Sequence, residues 1–306
     1  MTSPRYPIPA TERIVVLMNR KAAGFPDVFR RRVAAAFAHH GVPFDLLETE
    51  EPGDVYGAAQ AAANAGVRAV AAAGGDGTVA EALRGTAGTE VPVAILPCGT
   101  GNQLALNFDV PPSLEGAVQV AVEGQVEEID LGKVNGEYFA LIAGAGLDAE
   151  VMAAATAELK SRLGFAAYLY SGVKQAITPQ PAAFRIVADG EEMEMRATMV
   201  LVANVGQLGA GPLPVEVQVA PRVSFRDGLL DVCVFAPRTL PEFARVVWKV
   251  ARRQYAGDDR MIFFQARHVR VESDPPVAAQ VDGEVSGQTP IEAEIVPLAG
   301  RVLVPR

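Results

Sequence analysis

Residues 67–83 read VRAVAAAGGDGTVAEAL, and the order of properties along that stretch decides the fold. A run of small and branched apolar residues reads as a buried strand, Gly74-Gly75-Asp76-Gly77-Thr78 turns the chain, and a helical pattern starts at Val79. A strand that leaves through glycines into a helix aims backbone N–H groups and the positive helix end at one point, which suits an anion. Glycines let the main chain approach a phosphate without interference from Cβ, and Asp76 is placed to hold a magnesium ion or its waters beside it. A tight glycine turn with no ligand is the competing reading, and the strand-before, helix-after context argues against it.

The segments on either side repeat the alternation. Residues 14–18 and 44–47 read as strands, 27–40 and 54–65 as helices ended by Gly41 and Gly66, and 91–96 as another buried strand. That pattern predicts a parallel sheet with helical crossovers. The strand at 91–96 runs into a second turn, Pro97-Cys98-Gly99-Thr100-Gly101-Asn102, in the same topological position. Both turns are therefore expected at the sheet edge where open α/β sheets bind ligands. Thr100 offers a hydroxyl to a phosphate, and Asn102 an amide to a base, a ribose or the first loop. After about Gly124 the texture changes. Asn135-Gly136 and Asp189-Gly190 are strong hairpin signals, so a second, mostly antiparallel domain follows, interrupted by helical patterns at 149–177 and 240–255.

A chain of 306 residues exceeds what one core usually organises, so its length suits two domains or one large α/β domain. Its formal charge of −9 gives no general attraction to nucleic acid or an anionic membrane, so any basic contact must be a local patch. Cys98 and Cys233 lie far apart, and neither they nor the three histidines have metal-ligand or disulfide spacing, which suits a reducing cytoplasm. The apolar run near the N-terminus is short, and no stretch approaches the roughly eighteen apolar residues of a spanning helix. The expectation is a cytoplasmic protein whose membrane contact is peripheral and transient.

Several motifs together resemble the diacylglycerol-kinase catalytic family of bacterial lipid kinases, which is related to sphingosine kinases and, distantly, to NAD kinases. They are residues 74–81, residues 95–102, Ile129-Asp130-Leu131-Gly132, Gly146-Leu147-Asp148-Ala149, residues 160–164 with Tyr168, Asp227-Gly228-Leu229-Leu230-Asp231 and Asp282-Gly283-Glu284. The resemblance implies an α/β nucleotide-binding domain at 1–128, joined again by about 292–306, and a β-sandwich lipid-substrate domain at 129–291, with an active cleft between them. It implies that ATP is contacted by Thr49, by Gly74, Gly75, Asp76, Gly77 and Thr78, and by Gly99, Thr100, Gly101 and Asn102. It further implies that Mg²⁺ acts with ATP, that Asp282 serves as general base beside Asp76, and that Ser224, Asp227 and Leu229 resemble a structural metal site. From local sequence alone, Asp282-Gly283 reads rather as a hairpin turn between residues 278–281 and the next strand, and it is the resemblance that reverses this. The chain departs from the family at Gln103, where an Asp is usual, and at Ala80, where an Asn is common; a neutral amide supplies no negative charge to a magnesium–water network.

The implied activity is transfer of the γ-phosphoryl group of ATP to a lipid hydroxyl, most simply of diacylglycerol, with the lipid met at the membrane surface and no nucleic-acid partner. A soluble-acceptor kinase of the NAD-kinase type and a nucleotide-binding regulator with little turnover are the alternatives, and a homodimer is left open. Gly144-Ala145-Gly146-Leu147-Asp148-Ala149 superficially fits a dinucleotide fingerprint, but no strand ending in an acidic residue follows about twenty positions on. Two segments are equal candidates for a membrane-facing rim: Arg245, Lys249 and Arg252 at helical spacing beside Trp248, and Lys160 to Arg162 beside Phe165 and Tyr168.

Overall fold

Strand β1 (Ile14–Asn19) carries apolar side chains on both faces, and Ile14, Val16, Leu17 and Met18 are wholly buried. A strand with no polar face belongs inside a parallel sheet covered on both sides. It pairs in parallel with β2 (Phe44–Thr49) and with β3 (Ala69–Gly74), and β3 pairs in parallel with β4 (Val93–Pro97), giving the order β2-β1-β3-β4. The crossovers are α1 (Pro26–His40), α2 (Asp54–Asn64), α3 (Asp76–Thr86), α4 (Gln103–Asn107) and α5 (Leu114–Glu123). Helix α1 packs with α5, and α2 with α3. All six residues of β3 are buried, and their small side chains let the covering helices lie close. The predicted strands and helices of this part are present, with ends shifted by one or two residues.

The structure, a computed structural model, describes residues 9–20, 26–51, 53–99, 101–146, 181–204, 207–209, 216–218, 224–255 and 257–306. The helical pattern expected at 149–177, with Lys160, Arg162, Phe165 and Tyr168, lies outside them, as does Thr100. The chain divides into one unit of Met1–Ile129 with Ala299–Arg306 and a second of Asp130–Leu298.

The second unit is the mainly antiparallel one. After β5 (Gln125–Val134), which enters it, come β6 (Glu137–Phe139), β7 (Ile142–Ala145), β8 (Ala182–Ala188), β9 (Glu191–Ala197), β10 (Met199–Ala203), β11 (Gln207–Gly209), β12 (Glu216–Gln218) and β13 (Leu230–Phe235). Helix α6 (Leu240–Ala251) follows, then β14 (Met261–Ala266), β15 (His268–Asp274), β16 (Ala278–Val281), β17 (Glu284–Gln288) and β18 (Ile291–Val304). One sheet places β18, β15, β8 and β9 side by side; the other has the order β14-β13-β10-β7-β16-β17. Phe184, Ile186, Val269, Val271 and Ile291 of the first share one core with Val200, Val202, Leu230, Val232 and Val234 of the second. Burial alternates along β8, as a strand with one face on a core requires. Asn135-Gly136, Asp189-Gly190 and Asp282-Gly283 all turn with both residues at positive φ, 48° and 91°, 48° and 91°, and 47° and 88°. That is the two-residue hairpin geometry whose twist matches the flanking strands. Strand β18 changes character along its length: burial alternates from Ile291 to Ile295 and is nearly continuous from Ala299, with Leu298 at φ 53° between the halves.

Candidate active site

The carboxyl ends of the parallel strands, Asn19, Thr49, Gly74 and Pro97, fall on one edge of the first unit; the register pairs Asn19 with Thr49 and Gly74 with Pro97. The winding order reverses between β1 and β3, the place where open sheets leave a crevice for ligand. Thr49 is buried there, its hydroxyl donating to the Met18 carbonyl at 3.3 Å. Asn19 Nδ2 donates to Thr78 Oγ1 at 3.4 Å.

The two glycine turns meet on this edge. The Cys98 amide donates to the Gly74 carbonyl at 3.0 Å, and the backbones of Gly75 and Gly99 lie so close that a Cβ added to Gly99 would stand 2.6 Å from Gly75 Cα. Asp76 joins the turns from the side: its Oδ1 accepts the Leu104 amide at 3.0 Å, and a Cβ on Gly101 would sit 2.9 Å from its Oδ2. Asn102, in the left-handed region at φ 49°, donates from Nδ2 to the Gly99 carbonyl at 2.7 Å and accepts the Gly99 amide on Oδ1 at 3.0 Å. Both ends of its amide clamp its own turn, because a short amide in this conformation reaches the backbone three residues back. Gln103 is buried, with Nε2 donating to the Gly101 carbonyl at 3.0 Å. Thr78 folds back over Gly74, whereas a Cβ on Gly77 would meet nothing within 4 Å. The Cys98 thiol donates to the Leu96 carbonyl at 3.2 Å, and burial pushes it up to about 12, which favours the thiol over the thiolate. Helix α3 starts at Asp76, so its first N–H groups, which lack partners within the helix, lie beside two glycine-rich turns.

Asp282 lies in the second unit. Its Oδ1 accepts the amides of Leu141 and Ile142 at 2.8 and 3.0 Å, its Oδ2 accepts the Ala140 amide at 2.9 Å, and its own amide donates to the Ile142 carbonyl at 2.8 Å. The corresponding residue of another hairpin behaves similarly: Asp189 accepts the Arg267 and His268 amides, and those bonds, Arg267's first, hold its carboxyl below the usual carboxylate range.

In the Asp227 loop, Asp227 Oδ1 accepts the Leu229 amide at 3.1 Å and its Oδ2 accepts Gln265 Nε2 at 3.2 Å, while Ser224 Oγ accepts the Arg226 amide at 3.1 Å. Burial first, then the charge of Asp227, pushes the Asp231 carboxyl up to about 7. Among the described residues no cluster of three His, Cys, Asp or Glu side chains is placed to share a metal ion.

Two residues without a sequence-assigned role organise this region. Asp130, buried, accepts the Leu298 amide on Oδ1 at 2.9 Å and the Gly228 amide on Oδ2 at 2.8 Å. Asn204, also buried, donates from Nδ2 to the carbonyls of Asp130 and Ala140, at 2.9 and 3.2 Å. The available signal was a polar residue inside an apolar strand, Asp130 between Ile129 and Leu131, since burying such a group is costly unless it is bonded.

Two family models match the chain. Residues 13–134 match the family described as diacylglycerol kinase catalytic domain, and residues 142–304 match the YegS C-terminal NAD kinase beta sandwich-like domain. The chain is 30% identical to the diacylglycerol kinase of Mycobacterium tuberculosis over 89% of its own length and 88% of that protein's. It is 31% identical to an uncharacterized Synechocystis protein over 77% of its own length, spanning about half, 54%, of that longer chain. A crystal structure of a putative diacylglycerol kinase from Bacillus anthracis is similar with a TM-score of 0.79 at 26% identity, covering 96% of this chain and 97% of that one.

Proposed function

The chain belongs to the diacylglycerol-kinase catalytic family and is a lipid kinase, and on that footing we propose that it transfers the γ-phosphoryl group of ATP to the hydroxyl of diacylglycerol or a close relative. The observation that carries this reading is the backbone contact of Gly75 with Gly99 at the carboxyl edge of β3 and β4. Two glycine-rich turns in contact beside the start of α3 bring the backbone and the positive end of a helix to one place, an arrangement that suits a polyphosphate.

Mg²⁺ fits as an ion that arrives with the nucleotide. The described loops supply one carboxylate, Asp76, with the neutral amides of Asn102 and Gln103 bonded to loop carbonyls. Magnesium in kinases is held by one or two carboxylates, waters and the substrate's own phosphates, so a single carboxylate suffices. When bound, the ion offsets phosphate charge. Asp76 would face it, with its orientation fixed by the Leu104 amide. Glycines 74, 75, 77, 99 and 101 would admit the phosphates, with Thr49, Thr78, Thr100 and Asn102 shaping the cradle around them.

In the same proposal Asp282 orients the acceptor hydroxyl and takes its proton, supported by a carboxylate that three amides hold in one orientation. Ser224, Asp227 and Leu229 are proposed as a structural cation site, which would relieve the repulsion between Asp227 and Asp231. Gln103, where the family carries a charge, is the one feature that favours a nucleotide-binding regulator with little turnover.

Labelled-phosphate transfer from Mg·ATP to a panel of diacylglycerol, monoacylglycerol, phosphatidylglycerol, sphingosine, ceramide and NAD, with Asp76→Ala in parallel, tests the reading. Transfer to one lipid that vanishes in the variant is expected. Transfer to NAD alone, or undiminished transfer by Asp76→Ala, would overturn it.

A further inference from the structure

Helix α6 has two apolar faces. Val246 and Val250 are buried within the second unit, and Thr239 caps the helix by accepting the Glu242 amide. The opposite stripe, spaced by four residues, consists of Leu240, Ala244, Trp248 and Arg252, all exposed, with Trp248 at 59% and Leu240 at 44%. Leucine and tryptophan on one outward stripe of a single helix make a contiguous apolar strip with a polar tip, which suits an interface with one apolar and one wet side.

Charge is segregated around this stripe. Residues 238–260 carry six cationic side chains, Arg238, Arg245, Lys249, Arg252, Arg253 and Arg260, and three carboxylates, a net +3; since the whole chain carries −9, the remainder carries −12. Arg245 and Lys249 reach the Asp258 carboxylate at 3.3 and 3.1 Å, which pins the helix to the loop after it. Arg252 stacks its guanidinium 4.4 Å from the centre of the Trp248 ring, so a cation sits beside the exposed indole, where a phosphodiester would meet it.

We propose that the Leu240–Ala244–Trp248–Arg252 stripe of α6 is the surface by which the protein docks on an anionic lipid bilayer, the indole entering the headgroup region while the surrounding cations meet lipid phosphates. Its purpose rests on the lipid-kinase reading, but the docking itself does not. The positive segment is complementary to an anionic leaflet; a second copy of this net-negative chain offers no such complement.

Trp248 is the single tryptophan of the chain, so its fluorescence reports on this face directly. The full chain is titrated with vesicles of phosphatidylcholine containing about 30 mol% phosphatidylglycerol and no kinase substrate, with pure phosphatidylcholine vesicles as the comparison. The expected result is a blue shift and quenching by bromine-labelled acyl chains on the anionic vesicles only, weakened at about 0.5 M salt. Co-sedimentation of Trp248→Ala should fall about tenfold, and that of Arg252→Glu by at least a comparable factor. Both variants should keep wild-type melting midpoints and wild-type transfer to a short-chain, water-soluble diacylglycerol. No blue shift, or co-sedimentation unaffected by either variant, overturns the proposal, as does a solution dimer that dissociates in Trp248→Ala. Loss of kinase activity with docking intact would instead count against the proposed substrate.

Discussion

Replacing Asp282 by Asn, the usual test of a catalytic carboxylate, should first of all destabilise the second unit. Three amides, of Ala140, Leu141 and Ile142, point at the carboxylate, and these residues are 1%, 8% and 8% exposed, so water offers little replacement. An asparagine keeps one oxygen. Its best orientation leaves that oxygen with Leu141 and Ile142 and turns an N–H₂ group toward the Ala140 N–H, donor against donor. One charge-assisted bond is lost and two become neutral, for a cost of about 3 kcal/mol. In a domain of this size that lowers the melting midpoint by about 6–12 °C. Calorimetry of wild type, Asp282→Asn and Asp189→Asn at neutral pH measures it, and Asp189→Asn should cost less because its bonds from the Arg267 and His268 amides are exposed. A midpoint within about 1 °C of wild type, with phosphate transfer abolished, would refute the structural reasoning and leave Asp282 a purely chemical role.

Gly99→Ala forces Gly75 and Gly99 apart by about 1 Å, which should destabilise the first unit by about 1–3 kcal/mol and lower kcat/KM at least about 100-fold, whereas Gly77→Ala should leave the melting midpoint unchanged or raised. Gln103→Asp adds a carboxylate near Asp76 and removes the donor to the Gly101 carbonyl; the Mg²⁺ concentration for half-maximal transfer should fall while the metal-free midpoint drops, and an unchanged Mg²⁺ dependence would exclude any metal role for this position. Asp231 titrates near 3.8 when unfolded and at about 7 when folded, so the native state binds the extra proton between these values and stability falls as pH rises through the window. Asp231→Asn should flatten that slope in metal-free thermal melts, and a slope that persists would place its origin elsewhere.

How far the sequence alone reaches can be seen residue by residue. Continuous apolar runs before Gly74 and Pro97 identify a parallel sheet because only a strand covered on both faces lacks polar positions, and the glycine turns follow from the backbone's need for space. The Asp-Gly and Asn-Gly pairs mark hairpins because few residues accept positive φ in succession. These are local properties, legible within a few neighbours. The partners of Asp282, Asp130 and Asn102 are different. Asp282 meets amides some 140 residues away, Asp130 reaches Gly228 and Leu298, and Asn102 bonds back to Gly99. Which N–H a carboxylate finds depends on strand register set by distant packing, and no local pattern encodes it. The sequence by itself determined the two architectures and the place of the two glycine turns; the tertiary structure alone decided that Asp76, Asn102, Gln103 and Asp282 also hold those architectures together, since a buried backbone donor claims whatever acceptor the fold brings within reach.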